Sequence, residues 1–364
     1  MQTPILINGR FLSQPQSGVQ RFAREITAAL LARDRNINVV VPLGTQLDGL
    51  IPWDRVRPFG LRRGHAWEQL DLPRHIGGSV LVNLGNTAPL RARRQVVVIH
   101  DTGWAATPEA YTRAFRVWYS TLQTLLVRTS ARLVTVSAFA RAEIARTLRV
   151  DPARITVVPE GAEHITRLPS DPGVLEHAAL TRGRYVLAVG NIAAHKNLPA
   201  LRELARALAA RGQMLAIVGA SPAGVFCDDA DLPQPARLLG RIDDSQLRAL
   251  YEHAACLVFP SLHEGFGLPA LEAMACRCPV AAADISGLRE TCGEAATFFN
   301  PRSSASIAET VLSLLDNPAR AEAMREAGAA RAARFTWSRA ADALAAVAAE
   351  VAPVVSQPDL ELVA

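Results

Sequence analysis

Residues 259–280 read Phe-Pro-Ser-Leu-His-Glu-Gly-Phe-Gly-Leu-Pro-Ala-Leu-Glu-Ala-Met-Ala-Cys-Arg-Cys-Pro-Val, and two carboxylates in this run, Glu264 and Glu272, are separated by seven residues. An apolar strand is expected to end at Phe259 and a helix to begin near Gly267 or Leu268, with Pro269 in its first turn, where proline is tolerated. Gly265 and Gly267 would let the backbone around Phe266 and Leu268 approach a ligand closely, and the helix N-terminus would offer unpaired N–H groups to an anion. The segment reads as a seat for a diphosphate. Carboxylates aimed at phosphate would be repelled, so Glu264 on the loop and Glu272 inside the helix suit the uncharged hydroxyl groups of one ligand, at two depths. For Glu272 alone, the favourable field of a helix N-terminus is a second reason to be acidic.

Such an anion calls for a cation. The basic residues are 38 arginines and a single lysine, Lys196, in Val189-Gly-Asn-Ile-Ala-Ala-His-Lys-Asn197, after an expected strand and before an expected helix. An ammonium there can meet a departing phosphate as a point charge. Metal chemistry has less support. The five cysteines, Cys227, Cys256, Cys276, Cys278 and Cys292, lack zinc spacing and read as buried thiols of a reducing compartment. Asp228, Asp229 and Asp231 fall in an expected loop as a solvated acidic turn, and no Asp-x-Asp pair stands at a strand end. Gly219 to Gly224 does not fit the dinucleotide-binding glycine pattern, which argues against nicotinamide chemistry.

The elements that must hold these residues are short β-branched runs alternating with amphipathic helical stretches, the pattern of a parallel sheet with crossover helices. Strands are expected at 5–8, 38–41, 80–82, 95–100, 133–136 and 155–158, with helices at 19–33, 111–130 and 138–146, the last opened by Ser137 as N-cap. Residues 160–181, with two prolines and two glycines, read as a linker. A second series follows, with strands at 185–189, 215–218, 256–259, 280–283 and 296–299 and helices at 197–211, 245–253 and 267–275. Residues 304–351 read as mostly helical, and the tail from 353 as poorly ordered.

A length of 364 residues favours two domains, and 49% hydrophobic against 20% charged residues is enough apolar surface to exclude global disorder. No apolar run approaches the ~20 residues that cross a bilayer, and the N-terminal residues lack the features of a signal peptide, so a cytoplasmic protein is expected. Residues 1–170 carry 22 arginines against 12 acids, net +10, whereas the remainder carries −5. That field favours an anionic partner such as a membrane surface or a lipid diphosphate, although arginine-rich solvated helices account for it as well. Nucleic acid is not expected, because no basic run or recognition-helix pattern occurs.

Together these motifs resemble the signature of the retaining GT-B glycosyltransferases of family 4, and the resemblance extends over most of the chain. It implies an α/β protein of two Rossmann-like domains facing across a cleft: an acceptor-binding domain over 1–170, to which a helix at about 337–352 returns, and a nucleotide-sugar-binding domain over 182–336. It implies hexose transfer from a nucleotide-diphosphate sugar with retention, by same-face attack in which the leaving phosphate accepts the acceptor's proton, with no metal or other cofactor. Carried over by position, Glu272 binds the ribose hydroxyls and Glu264 those of the transferred sugar. Gly18, in Gly18-Val-Gln-Arg-Phe22, brings a helix N-terminus near the diphosphate, and His100 hydrogen-bonds the donor sugar and is the one candidate base. Arg241 and Ile242 border the nucleobase, and Phe335-Thr-Trp337 opens the returning helix. Family members usually carry arginine at the place of Asn191, which removes one expected positive charge; His195 or Arg289 are candidates to supply it. Bacterial members often extend glycans or polyprenyl-diphosphate-linked oligosaccharides in cell-surface polysaccharide synthesis at the inner face of the cytoplasmic membrane. The basic first half, with Trp118 and Tyr119 on the 113–128 segment, is compatible with peripheral contact there. Resemblance alone favours mannose from GDP-mannose; a UDP-sugar donor and an inactive sugar-nucleotide-binding module are the alternatives.

Overall fold

Strands β1 (Ile5–Asn8), β2 (Ile37–Val41), β3 (Val56–Pro58), β4 (Val80–Asn83), β5 (Gln95–Val98), β6 (Arg132–Thr135) and β7 (Ile155–Val157) form one parallel sheet in the order β3-β2-β1-β4-β5-β6-β7. A second parallel sheet contains β8 (Tyr185–Val189), β9 (Met214–Val218), β10 (Arg237–Gly240), β11 (Cys256–Phe259), β12 (Val280–Ala283) and β13 (Ala296–Phe299), ordered β10-β9-β8-β11-β12-β13. These assignments come from a computed structural model that describes residues 3–47, 49–220 and 232–352. Cys227, the acidic run Asp228 to Asp231, most of the Gly219–Gly224 segment and the expected tail lie outside the described residues.

Parallel strands joined by helices are covered on both faces, so their inner members read as continuous apolar runs. β4, β11 and β12 are buried at every position. The expected strands are present to within two residues at either end. Two strands escaped the sequence reading, β3 and β10. Both lie at sheet edges; β3 buries only Val56 and β10 buries none of its residues, so neither shows an apolar run or an alternation.

Strand order reverses at β1/β4 in the first lobe and at β8/β11 in the second. Loops leaving the carboxyl ends of such strands diverge to opposite faces and open a crevice. The segments singled out above leave those ends: Gly18 follows β1, Lys196 follows β8, and Glu264 follows β11.

The stretch 160–181, expected as an irregular linker, contains two short helices, His164–Arg167 and Gly173–His177. Elements of four and five residues are too short to display a helical period. Residues 304–351 form three helices, Ser304–Leu315, Pro318–Ala332 and Trp337–Val351. The last returns to the first lobe and packs on helix Gly18–Leu31. Its buried side chains, Trp337, Ala340, Ala341, Leu344, Val347 and Ala348, form one stripe at three- and four-residue spacing. Trp337 meets Phe22 edge-on, with ring centroids 5.8 Å apart. Cys256, Cys276, Cys278 and Cys292 are buried free thiols, and burial pushes Cys256 and Cys292 up to about 12, so both stay protonated. Among the described residues no helix is long and apolar enough to cross a membrane.

Candidate functional site

A cleft of about 580 Å³ opens between the lobes. Most positions named above as site candidates line it, His195 and Arg289 excepted: Gly18 and His100 from the first lobe, and Asn191, Lys196, Arg241, Ile242, Glu264, Gly265, Phe266, Gly267, Leu268 and Glu272 from the second.

Lys196 does not stand free. Its Nζ donates to Glu264 Oε1 at 2.5 Å, with the two side chains 15% and 12% exposed. Burial alone would raise the Glu264 carboxyl, but the charge and hydrogen bond of Lys196 outweigh it and hold Glu264 below the ordinary carboxylate range. The pair uses one of the three Nζ protons, so the ammonium can still donate to phosphate oxygens and the carboxylate can still accept from hydroxyl groups. Asn197, in the left-handed conformation beside Lys196, donates to the carbonyls of Pro260 and Pro301 at 3.1 and 2.7 Å and so pins the Lys196 loop to the strand end before Glu264.

Glu272 lies on helix Leu268–Ala275, buried, with both carboxylate oxygens engaged. His164 Nε2 is 2.8 Å from Oε1, and the Tyr251 hydroxyl donates to Oε2 at 3.0 Å. Trp337 Nε1 donates to His164 Nδ1 at 3.1 Å. An indole N–H can only donate, so Nδ1 of His164 is the bare nitrogen and Nε2–H faces the carboxylate. Burial and the Glu272 charge raise Tyr251 well above its ordinary value, so it remains a donor. Each carboxylate oxygen has a second lone pair available to a ligand hydroxyl. Reading the sequence missed His164, which lay in the supposed linker, and treated Trp337 only as a helix start.

The two glycines of the loop line the cleft, and each also answers a packing demand. A Cβ at Gly265 would stand 2.8 Å from the His100 carbonyl oxygen, so this glycine lets the lobes touch. Gly267 adopts φ +96°, and a Cβ there would collide with the Leu288 side chain, so it serves the entry into the helix. At Gly18 a Cβ would meet nothing within 4 Å. Ser137 caps helix Ala138–Leu148 as expected, accepting from Ala140 N at 2.9 Å, and its hydroxyl also donates across the cleft to Gly265 O at 2.5 Å.

His100 lies two residues beyond the end of β5. Its Nε2 lies 3.0 Å from the Leu84 carbonyl, which can only accept, and its Nδ1 lies 3.7 Å from Glu160 Oε1. Burial raises Glu160 against the opposing influence of His100. Only Nδ1 could turn to a ligand. Neither candidate for replacing the absent arginine charge fits that part. His195 is depressed to about 4 by burial and by Lys196, so it is uncharged at neutral pH. Arg289 is absent from the cleft lining and pairs on the surface with Asp284.

Further contacts join the lobes. Glu290 accepts from Ala138 N and Phe139 N at 2.7 and 2.8 Å, capping a first-lobe helix from the second lobe. His263 pairs with Glu143 at 2.8 Å, and Arg21 pairs with Asp244. Among the described residues no group of three His, Cys, Asp or Glu side chains could hold a metal ion.

Residues 16–164 match the family described as Glycosyltransferase Family 4, and residues 176–331 match Glycosyl transferases group 1. The chain is similar to the O-antigen chain mannosyltransferase B of Escherichia coli, with 31% identity over 261 residues covering 68% of each chain. It is 26% identical over 252 residues, again 68% of each, to the O-antigen chain mannosyltransferase RfbU of Salmonella typhimurium. Anabaena HepE, solved in complex with UDP and glucose, superposes with a TM-score of 0.73 over 95% of this chain and 99% of its own, at 15% identity, and shares the GT-B fold.

Proposed function

The chain belongs to glycosyltransferase family 4, and from that premise we propose that it transfers mannose from GDP-mannose, with retention and without a metal, to a growing glycan or a polyprenyl-diphosphate-linked oligosaccharide in cell-surface polysaccharide synthesis. The observation that carries the reading is the Lys196–Glu264 pair sharing one interlobe cleft with Glu272. Breaking the bond from the anomeric carbon to diphosphate leaves positive charge on the sugar and negative charge on the leaving group. Lys196 and the N–H groups at the start of helix Leu268–Ala275 are pre-oriented for the negative charge. Glu264 accepts from sugar hydroxyls through its remaining lone pairs, and Glu272 accepts from the ribose. Nδ1 of His100 is the one imidazole lone pair described above that could turn to a ligand, and we assign it to the donor sugar, leaving the departing phosphate as proton acceptor in same-face attack.

Mannose is supported by the two O-antigen mannosyltransferase relatives. A screen of nucleotide sugars measuring GDP or UDP release decides the donor, and turnover with a UDP-sugar alone overturns GDP-mannose. Proton NMR of the product reads the anomeric configuration, for which inversion refutes the mechanism. Undiminished turnover in EDTA is expected.

We also propose peripheral contact with an anionic membrane. On helix Arg113–Leu126, Val117, Trp118 and Leu125 are exposed, with arginines 113 and 128 beside them. His65 lies 5.0 Å from Trp118, ring to ring, which brings the Leu61-Arg62-Arg63 loop alongside; Leu61 is 88% exposed. Apolar side chains ringed by arginine are suited to an interfacial surface. Flotation with anionic vesicles should weaken in Trp118→Ala and at high salt, and salt-independent flotation would contradict the proposal.

A further inference from the structure

The charged side chains lining the cleft are unbalanced for an anionic ligand. Arg21, Lys196 and Arg241 face Asp101, Glu160, Asp243, Asp244, Glu264 and Glu272. Lys196 is held by Glu264, and Asn191 and His195 bring no positive charge. Arg21 remains as a strong cation from the opposite lobe. It sits one turn into helix Gly18–Leu31, beside the open side of Gly18, and its guanidinium makes a two-pronged pair with Asp244 of the second lobe, Nη1 to Oδ2 at 2.7 Å. Glu25 lies 3.8 Å from the same group but is itself held by Arg167 at 2.9 Å. Asp243, and not Asp244, caps helix Asp244–His253, so the Asp244 carboxylate has no duty in that cap.

Building on the donor-binding reading above, we propose that Arg21 is the second diphosphate cation of the site, supplied across the cleft, and that Asp244 holds it until the donor arrives. A guanidinium fork fits phosphate oxygens as it fits a carboxylate, so a diphosphate takes the place of Asp244 with the same geometry. Donor binding then draws on both lobes, and the first lobe contributes charge as well as the acceptor surface.

The test is calorimetry with GDP, UDP and the corresponding nucleosides on Arg21→Ala, Asp244→Asn, the double variant, and Arg21→Ala combined with Asn191→Arg. Arg21→Ala should weaken the nucleoside diphosphate about tenfold or more while leaving the bare nucleoside within about twofold. Asp244→Asn should tighten the diphosphate, and that gain should shrink in the double variant, because it acts mainly through Arg21. Asn191→Arg, in the same cleft, should restore part of the loss. Equal losses for nucleoside and diphosphate, no loss in Arg21→Ala, or Asp244→Asn weakening binding as Arg21→Ala does would each make the pair a structural strap and overturn the inference alone. If the unaltered protein bound neither nucleoside diphosphate, the donor-binding reading would fall with it.

Discussion

Replacing Trp337 by phenylalanine removes one N–H and leaves most of the ring, so the edge-on contact with Phe22 persists. The lost bond is the 3.1 Å donation to His164 Nδ1, which lies one step from Glu272 and shares no cleft lining with it. Without it His164 can shift its proton to Nδ1 and turn a lone pair toward the Glu272 carboxylate, 2.8 Å away. A neutral buried hydrogen bond contributes ~0.5–1.5 kcal/mol net, so if that loss passes through Glu272 to the ribose, nucleoside diphosphate affinity falls about twofold to tenfold. Calorimetry of Trp337→Phe, Glu272→Ala and their combination measures it. The indole should matter only while Glu272 is present, so the double variant should bind no worse than Glu272→Ala. His164→Gln, which keeps a donor for the carboxylate, should be milder than His164→Ala. Unchanged affinity in Trp337→Phe, or the same further loss in the Glu272→Ala background, would refute the chain of contacts from the returning helix to the ribose site.

Three other outcomes are expected. Lys196→Ala should lower kcat about 100-fold or more, as removal of a pre-oriented donor from developing negative charge does, read by nucleotide release; a change confined to KM would count against Lys196 meeting the leaving group. Gly265→Ala places a Cβ 2.8 Å from the His100 carbonyl and should weaken the lobe contact by ~1–3 kcal/mol, lowering turnover without unfolding either sheet, and unaltered turnover with unaltered small-angle scattering would show the approach to be dispensable. The His263–Glu143 pair gives a pH dependence. Burial lowers His263, but the Glu143 hydrogen bond together with the charges of Asp101, Glu143 and Glu264 more than restores it, raising it above 6.5, while Glu143, raised by burial, is brought below 4.5 chiefly by His263. The His263 contribution is therefore complete below 6.5 and lost as pH rises through the raised value, and that of Glu143 is present above 4.5 and lost as pH falls through the lowered one. Thermal unfolding should separate wild type from His263→Gln most between pH 4.5 and 6.5, with the gap closing at alkaline pH; a pH-independent gap would mean that the pair adds nothing through charge.

Composition and periodicity were enough for all but the edge strands β3 and β10 of the two parallel sheets, because strands buried on both faces advertise themselves as apolar runs, as in Cys256–Phe259 and Val280–Ala283. The carboxylates, the lone lysine and the glycine loop were legible too, since their chemistry depends on residue type at short spacing. Partners distant along the chain were not. Glu272 is held by side chains 108 and 21 positions away, and Arg21 meets Asp244 across 223. Local spacing carries no information on such pairs. The role of Gly265 likewise depends on a carbonyl from the other lobe. What the amino-acid order determined by itself was the set of chemical groups and the elements bearing them. Which of those groups neutralise one another in the cleft was decided only by the docking of the lobes, because electrostatic pairing follows distance in space.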